Sequence, residues 1–294
     1  MFKRILIPLD GSDIAEAAIP YGEALARRLG SEVTLLHACD ESHQFNHTMH
    51  RLYLEKRAEM IAAGFSPDAG VDTAPVAAAV IQFGQLAPVI HDYVNQYNTD
   101  LIIMIREGLS AAPKSRSVAS VFDDVFRVVG CPSMLVPPEA VVKGKPLFNH
   151  ILVPLDGSPG SEQALAPAAA LAQASGAEIT LFSMVKETLE AEPESDLVGD
   201  RGLHNMKKSL DEQDQVFEYL ESLADKLRQD GLEAAPRVDI GDNSAHLITS
   251  AARVLGADMV VMATASVVST WRSKSVTHKL LAETDLPLMV VRQQ

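Results

Sequence analysis

Short runs of apolar residues alternate along the chain with segments in which apolar residues recur three or four positions apart. The first run, residues 5–9, returns as residues 151–155, and continuous apolar runs of this length are typical of strands buried on both faces of a sheet. The helical segments that follow them reach Gly30 and Gly176, and glycine commonly ends a helix. Strands that alternate with helices in this way predict a parallel sheet with crossover helices.

The whole pattern is written twice. Residues 5–12 read ILIPLDGS and residues 151–158 read ILVPLDGS. Two later segments also repeat, because Asp100–Met104 matches Asp258–Met262 and Cys131–Val136 matches Leu286–Val291. The offset between the copies grows from 146 to 158 and then falls to 155, so the second copy contains an insertion and a small deletion.

We therefore predict two tandem α/β domains, residues 1–138 and 147–294, each with a five-stranded parallel sheet flanked by helices. The linker between them, PPEAVVKGKPL at residues 137–147, contains Pro-Pro and Gly144, which disfavour regular structure. The closing strands, residues 133–136 and 288–291, would be exposed apolar edges. We predict that the two halves pair these edges with each other, which makes the chain an internal pseudo-dimer.

Smaller features of the pattern carry expectations of their own. Ser12 and Ser158 are placed to cap the helices that follow them. Pro20 and Pro167 should kink those helices, unless the helices begin later than the pattern suggests. The polar insertion at residues 190–208 is expected to form a surface loop, and short helices are expected after Gly84 and Gly241.

Composition excludes several classes of partner. The net charge is −14 with no Lys/Arg-rich block, which argues against nucleic acid and against an anionic membrane surface. No apolar run approaches the ~20 residues that span a bilayer, and the apolar stretch at the N-terminus is shorter than a signal peptide needs. Two cysteines form no disulfide framework. We expect a cytoplasmic protein.

The PLDGS turns follow the first strand of each copy, and open α/β sheets bind ligands at the carboxyl ends of their strands. The carboxylate of Asp10 or Asp156 could accept a hydrogen bond there from a purine amine or a ribose hydroxyl. Alternatively, the aspartate and serine only cap the helix while the glycine forms the turn. The spacing of these residues does not decide between the two interpretations.

The full order of motifs is more specific. A PLDGS turn after the first strand, a fourth strand ending in Met, a loop, a helix and a closing strand such as CPSMLV or LPLMVV resemble the universal stress protein family over nearly the whole chain. The resemblance implies two Rossmann-like (adenine nucleotide alpha hydrolase-like) domains. It also implies that Asp10 with Ala38, and Asp156 with Met184, lie near an adenosine.

The phosphate-binding motif of that family, G-x2-G-x9-G-[ST], is altered in both halves. In the first half Met104 is followed by IREG and the next helix opens at RSV, residues 116–118; in the second, Met262 is followed by ATAS and the helix opens at KSV, residues 274–276. A β-branched Ile105 disfavours positive φ, so close approach of the backbone to phosphates is not expected there. Arg116 and Lys274 either meet an anion directly or are solvated residues of a first helical turn.

The resemblance and these departures together give a set of candidate nucleotide-contacting residues in the two halves: Pro8, Asp10, Ser12, Ala38, Met104, Gly108, Arg116, Ser117, Val118, Pro154, Asp156, Ser158, Met184, Met262, Ala263, Thr264, Ser266, Lys274, Ser275 and Val276.

Other constellations are weaker. His43, His47 and His50 would share one face of a helix and suit a zinc or nickel site, or they are a solvated helix start. Cys39 is a candidate reactive thiol, whereas Cys131 is expected to be a small buried hydrophobe. The sequence has no nucleophile elbow and no HExxH motif, so no enzyme class is indicated.

These observations favour a non-catalytic stress-response protein that binds or senses an adenine nucleotide, ATP or AMP with Mg²⁺, in one or both clefts. The alternatives are a nucleotide-free interaction scaffold of the same fold and a weak ATPase. The resemblance also implies that the last strand mediates association. Whether two chains associate further as a homodimer, and with which protein partners, stays open at this point.

Overall fold

The structure, a computed structural model, describes residues 1–10, 12, 14–39, 47–63, 77–106, 118–137, 148–186, 198–264 and 275–293. Ten strands lie in these ranges: β1 Arg4–Pro8, β2 Glu32–Cys39, β3 Ala77–Phe83, β4 Leu101–Ile105, β5 Ser133–Val136, β6 His150–Pro154, β7 Glu178–Val185, β8 Ala234–Ile240, β9 Met259–Thr264 and β10 Leu288–Arg292.

Eight α-helices connect the strands of the described ranges: α1 Ile19–Leu29, α2 His47–Ala63, α3 Leu86–Tyr97, α4 Val118–Val128, α5 Leu165–Ser175, α6 Val198–Gln229, α7 Ser244–Leu255 and α8 Val276–Glu283. Short 3₁₀ turns, Ala15–Ala18 and Ser161–Ala164, precede α1 and α5. Within the described ranges no helix combines the length and the apolar character needed to cross a bilayer.

The strands form one continuous sheet in the order β3-β2-β1-β4-β5-β10-β9-β6-β7-β8. All neighbours are parallel except β5 and β10, which are antiparallel. Apolar side chains from alternate strand positions are buried on both faces of the sheet, as continuous apolar runs require. The predicted five-stranded parallel sheet in each half and the predicted pairing of the two closing edges are both confirmed.

The two halves are related by a pseudo-two-fold axis through the β5–β10 pair. Met134 lies opposite Met289, and these residues occupy the same position in the two copies at the offset of 155. Asp123 of α4 and His278 of α8 are related by the same offset and contact each other, with 2.9 Å between His278 Nε2 and Asp123 Oδ1. The axis therefore passes through the strand pair and between the two closing helices.

An arginine from each half binds the end of a closing helix in the other half. Arg106, after β4, donates to the carbonyl of Thr284 and lies 3.2 Å from Asp285 Oδ1. Arg292, at the end of β10, donates to the carbonyls of Arg127 at 3.2 Å and Val129 at 3.4 Å. Cations at helix C-termini satisfy carbonyls and interact favourably with the helix dipole, so both contacts stabilise the junction of the halves.

The structure resolves two expectations about the first helix of each half. The α-helices begin only at Ile19 and Leu165, so Pro20 and Pro167 lie in the first turn rather than inside the helix. Proline is tolerated there because the first amides of a helix have no intrahelical acceptor. Ser12 Oγ accepts the amide of Ala15 at 3.2 Å, so it caps the 3₁₀ turn instead of the α-helix.

The expectation of a loop at residues 190–208 was wrong for its second part. Residues from Val198 onward belong to α6, which runs to Gln229; residues 190–197 lie outside the described ranges, as does the predicted linker from residue 138 to 147. A polar composition predicts exposure, but residues such as Lys, Met and Leu also have good helix propensity. Polarity alone therefore did not distinguish an exposed helix from a loop.

Candidate functional site

The strand order reverses between β1 and β4 in the first half and between β6 and β9 in the second, and we call the region at the carboxyl ends of these strands the cleft of each half. The ladder between β1 and β4 contains two residue pairs, Ile5–Leu101 and Leu6–Ile102, whereas β1 and β2 form five. The β6–β9 ladder is equally short, with two pairs. Among the described residues of these strands, the backbones do not pair beyond that point. Their carboxyl ends are the position at which open α/β sheets bind ligands.

The PLDGS turn of the first half is stabilised by hydrogen bonds within the turn and by hydrogen bonds to β2. Asp10 Oδ1 accepts the amide of Ser12 at 2.9 Å and its hydroxyl at 2.6 Å. The amide of Leu9 donates to the carbonyl of Leu36 at 2.8 Å. His37 Nδ1 lies 2.8 Å from the Leu9 carbonyl, which can only accept, so Nδ1 carries the proton. These bonds anchor the turn to β2.

The second half repeats this geometry with one substitution. Asp156 Oδ1 accepts the Ser158 amide at 3.0 Å and its hydroxyl at 2.6 Å. The carbonyl of Leu155 is bound by Ser183 Oγ at 2.8 Å, so a serine takes the place of His37. Burial alone would raise the pKa of Asp156, but hydrogen bonds from Ser158 and Ser161 hold it below its ordinary value.

The two aspartates differ in their surroundings. Asp156 is exposed, whereas Asp10 is half-buried. Asp10 Oδ2 is inaccessible to solvent and has no hydrogen-bond partner among the residues that the structure describes. Buried carboxylate oxygens normally accept hydrogen bonds. Asp10, directly after β1, thus holds a buried acceptor without a protein donor in the described structure.

The other candidates on the adenosine side lie at the ends of their strands. Ala38 and Met184 are half-buried near the ends of β2 and β7, which places them beside the two turns. Pro8 is buried, while Pro154 is half-buried. Met104 belongs to the apolar core. The structure therefore brings the predicted adenosine-side residues of each half to one edge of the sheet.

The phosphate side is only partly described. Ile105 is the last residue of β4, is buried, and pairs with Val136, so an extended strand occupies the position of the first glycine in the motif. Ala263 and Thr264 extend β9 in the same way and are buried. Met262 Sδ accepts a weak hydrogen bond from Thr277 Oγ1 at 3.8 Å. Both fourth strands therefore continue past their Met where the family has a glycine.

The start of the closing helix is visible in the second half. Ser275 is the N-cap of α8, and its hydroxyl oxygen accepts the amide of His278 at 3.2 Å. Val276 is the first residue of α8, and Val118 is the first residue of α4. The remaining phosphate-side candidates lie outside the described residues: Gly108, Arg116, Ser117, Ser266 and Lys274.

A polar pair near each turn was not predicted from the sequence. In the second half, Tyr219 Oη donates to Glu162 Oε1 at 3.0 Å. Burial, the hydrogen bond to Glu162 and the charges of Glu162 and Asp156 raise the pKa of Tyr219. In the first half Glu16, the counterpart of Glu162 at the offset of 146, forms an ion pair with Arg57.

A sequence signal for these pairs did exist. Residues 53–55 and 219–221 both read YLE, which aligns α2 with α6 and identifies Tyr53 with Tyr219. Arg57 Nε donates to Tyr53 Oη at 3.3 Å. The tyrosine and the glutamate are therefore common to both halves, whereas Arg57 has Leu223 at the equivalent position of α6.

The thiol candidates are buried, and the structure does not test the metal candidates. Among the described residues, no group of three His, Cys, Asp or Glu side chains could hold a metal ion. His43 lies outside the described ranges, as do the side chains of His47 and His50. Both cysteines are buried. Burial raises the pKa of Cys131 to about 12 and also raises that of Cys39, which opposes formation of a reactive thiolate.

Comparisons with known proteins agree with this architecture. Residues 1–137 and 147–292 each match the sequence model of the universal stress protein family. No curated protein sequence matches the chain. The crystal structure of a universal stress protein from Archaeoglobus fulgidus DSM 4304 superposes with a TM-score of 0.71 at 18% identity, covering 100% of both chains.

A second crystal structure shares the architecture over nearly the full length. It is that of a protein of unknown function from Pseudomonas aeruginosa PAO1, with a TM-score of 0.65 at 14% identity, and the alignment covers 99% of this chain and 93% of that one. At such identities the similarity concerns the fold. The fold of the whole chain is thus shared with solved structures.

Proposed function

Because the chain belongs to the universal stress protein family, we propose that it binds an adenine nucleotide, ATP or AMP with Mg²⁺, without turning it over. The binding site is the cleft at the carboxyl ends of β1 and β4 in the first half. In this proposal the protein acts in the stress response by sensing the nucleotide, and the cleft of the second half binds more weakly.

The observation that carries the proposal is the buried Oδ2 of Asp10, which lacks a hydrogen-bond donor among the described residues. A buried acceptor left without a donor costs about 1–3 kcal/mol. In this proposal binding uncovers Oδ2, and the exocyclic amine of adenine or a ribose hydroxyl supplies the donor. Ala38, half-buried at the end of the neighbouring strand β2, provides an apolar surface beside it.

The second half lacks this feature. Asp156 is exposed, so water solvates its carboxylate when no ligand is present. Its Oδ1 is already bound twice by Ser158. A nucleotide in the second cleft would therefore displace water from an already satisfied carboxylate, and we expect the weaker affinity there.

The phosphates are assigned on sequence grounds. Arg116 and Ser117 directly precede Val118, the first residue of α4, and helix N-termini attract anions through their free amides and dipole. A guanidinium can bind phosphate oxygens bidentately. In this assignment the charge of Arg116 takes over part of the role that glycine amides play in the family motif.

One observation favours a second candidate function. Ile105 and Ala263 continue their strands at the positions where the family motif has a glycine, which keeps those backbones in the sheet ladder. A chain that had lost its nucleotide would tolerate such changes. In that case the protein would act as a nucleotide-free interaction scaffold.

The repeat offers a matched pair of variants to test the proposal. We expect calorimetric titration with Mg-ATP, and separately with AMP, to show one dominant site per chain. Asp10→Asn should weaken binding at least about tenfold, the equivalent of about 1.4 kcal/mol, whereas Asp156→Asn should leave the dominant site nearly unchanged. Phosphate release should stay at background over the same period.

Several outcomes would contradict the proposal. If folded protein freed of co-purified nucleotide gives no binding heat with either ligand, the scaffold function is favoured. If Asp156→Asn rather than Asp10→Asn abolishes binding, the nucleotide occupies the second cleft. Sustained phosphate release that is lost in the Asp10 variant would identify an ATPase.

A further inference from the structure

The sheet ends in two edge strands, β3 in the first half and β8 in the second. The closing strands β5 and β10 are paired with each other inside the sheet. Each edge strand pairs on one side, β3 with β2 and β8 with β7. Within the part of the chain that the structure describes, no strand pairs with the outer side of either one.

The direction of the backbone amides along these edges follows from one hydrogen bond in each half. The amide of Gly84, directly after β3, donates inward to the carbonyl of Cys39 at 2.9 Å. Successive amides of a strand point to opposite sides, so those of Phe83, Ile81 and Ala79 point outward. The amide of Gly241 donates inward to Val185 at 3.0 Å, and residue 236 is therefore an outward position of β8.

The strand register identifies equivalent residues of the two edges. Leu36 pairs with Val80, and its counterpart Phe182 pairs with Arg237. Val80 therefore corresponds to Arg237, and the outward position of Ala79 corresponds to Pro236. Two residues further along, the uncharged Gln82 corresponds to Asp239.

These differences block the pairing of another strand with β8 but not with β3. Pro236 has no amide to offer to an incoming strand, and Arg237 and Asp239 bind each other through two hydrogen bonds of 3.0 and 3.1 Å. Proline and charged side chains are the usual means by which natural sheets block edge-to-edge pairing. β3 reads AAAVIQF and has neither a proline nor a charge, so it lacks both of these blocking features.

We infer that β3 pairs antiparallel with β3 of a second copy of this chain, which joins two ten-stranded sheets across a two-fold axis. The partner is a second copy because an uncharged strand opposite itself brings no like charges together. The assembly closes at two chains because each chain has one open edge. Two open edges would instead allow growth into a fibre.

The test uses the full chain and a proline that the fold already accepts. Pro236 occupies the equivalent position of β8, so Ala79→Pro should remove one outward amide without breaking the β2–β3 ladder. Light scattering after size-exclusion chromatography should show wild type at twice the mass of one chain, and Ala79→Pro at the mass of one chain. Asp239→Gln on β8 is the matched control and should remain dimeric.

A second variant covers the case in which Ala79→Pro fails to fold, as judged by circular dichroism. Val80→Arg with Gln82→Asp introduces the charged pair of β8 into β3, and it should also be monomeric. The inference is overturned if wild type is monomeric across a broad range of concentration. It is equally overturned if a folded edge variant stays dimeric, or if dimerisation responds to Asp239→Gln.

Discussion

At the scale of single residues, the two turn aspartates show how one local motif acquires two environments. Both accept the amide and hydroxyl of the serine two positions later. Ser161 adds a further interaction at Asp156, and solvent reaches that side chain, whereas Asp10 is half-buried. The motif therefore defines the turn, and the surroundings define what its carboxylate can bind.

We predict that Ser158→Ala raises the pKa of Asp156 toward its ordinary value of 3.8, because the hydroxyl that stabilises the carboxylate is removed. A carboxyl-detected NMR titration measures this pKa. Ser175→Ala is a suitable control, since that hydroxyl binds the carbonyl of Leu171 and not Asp156. An unchanged pKa in Ser158→Ala would show that the amides and Ser161 hold the pKa of Asp156 down without the Ser158 hydroxyl.

The same hydrogen bonds make a pH-dependent contribution to stability. A carboxyl group whose pKa is lower in the folded protein than in the unfolded protein stabilises the fold at any pH above the unfolded pKa. This contribution is lost as the pH falls through the folded pKa. For Asp156 the pH range over which this stabilisation is lost lies below 3.8, the ordinary pKa of the group. At neutral pH the contribution is fully present.

At the scale of elements, the closing helices α4 and α8 contact each other at the pseudo-two-fold axis. The contact joins two different residues, Asp123 of α4 and His278 of α8. Asp123 is 1% exposed and His278 is 9% exposed as side chains. In a true two-fold dimer of one domain, the residue at this position would face its own copy, carboxylate against carboxylate or imidazole against imidazole. Duplication within one chain allows a complementary pair instead.

We predict that His278→Ala lowers the free energy of unfolding by about 3 kcal/mol, because breaking a buried pair leaves its charged partner poorly compensated. Urea unfolding at neutral pH measures the change. Exchanging the pair, with Asp123→His and His278→Asp together, should recover most of the loss, since the two positions are related by the axis.

The control for this experiment is Asp285→Ala. Asp285 also lies at the junction of the halves, next to Arg106, but its side chain is fully exposed, so little change is expected. If the exchanged double variant is as unstable as His278→Ala, the two positions are not interchangeable. The local symmetry of the helices would then be lower than the strand register indicates.

At the scale of the whole molecule, one sheet runs through both halves without a break. Met134 and Met289 are fully buried where the halves join, and an arginine from each half binds the end of a helix in the other. The junction is therefore made of core packing and sheet ladder. Such a junction couples the halves more tightly than a polar contact between independent domains would.

We predict that the chain unfolds in a single transition. Met134→Ala should lower the free energy of unfolding by about 2–4 kcal/mol, in the range for truncating a buried methionine, and should shift both halves together. Far-UV circular dichroism in urea, combined with hydrogen exchange read on peptides from each half, measures this. Val254→Ala, at a residue that is 70% exposed, should shift neither half, and a transition confined to the first half would contradict the prediction.

Much of this architecture was predictable because secondary structure follows from local sequence patterns and because those patterns occur twice in the chain. Apolar runs and helical spacing identified the strands and helices, and the repeat identified the closing strands as the edges that pair. The hydrogen bonds of Asp10 with Ser12 and of Asp156 with Ser158 span two residues, so the turn motif sufficed to place them. The error at residues 198–208 arose where polarity was the only signal.

Only the tertiary structure decided how the two copies differ. The burial of Asp10, the ion pair of Glu16 with Arg57 and the bond of Tyr219 to Glu162 join residues from separate elements, and no local pattern specifies such contacts. The same holds for the meeting of Asp123 with His278 and for the outward direction of the Ala79 amide. The sequence by itself determined that the chain is one fold repeated, because secondary structure follows from local periodicity. Tertiary packing determined which contacts differ between the two copies, because contacts between distant segments depend on which faces the fold brings together.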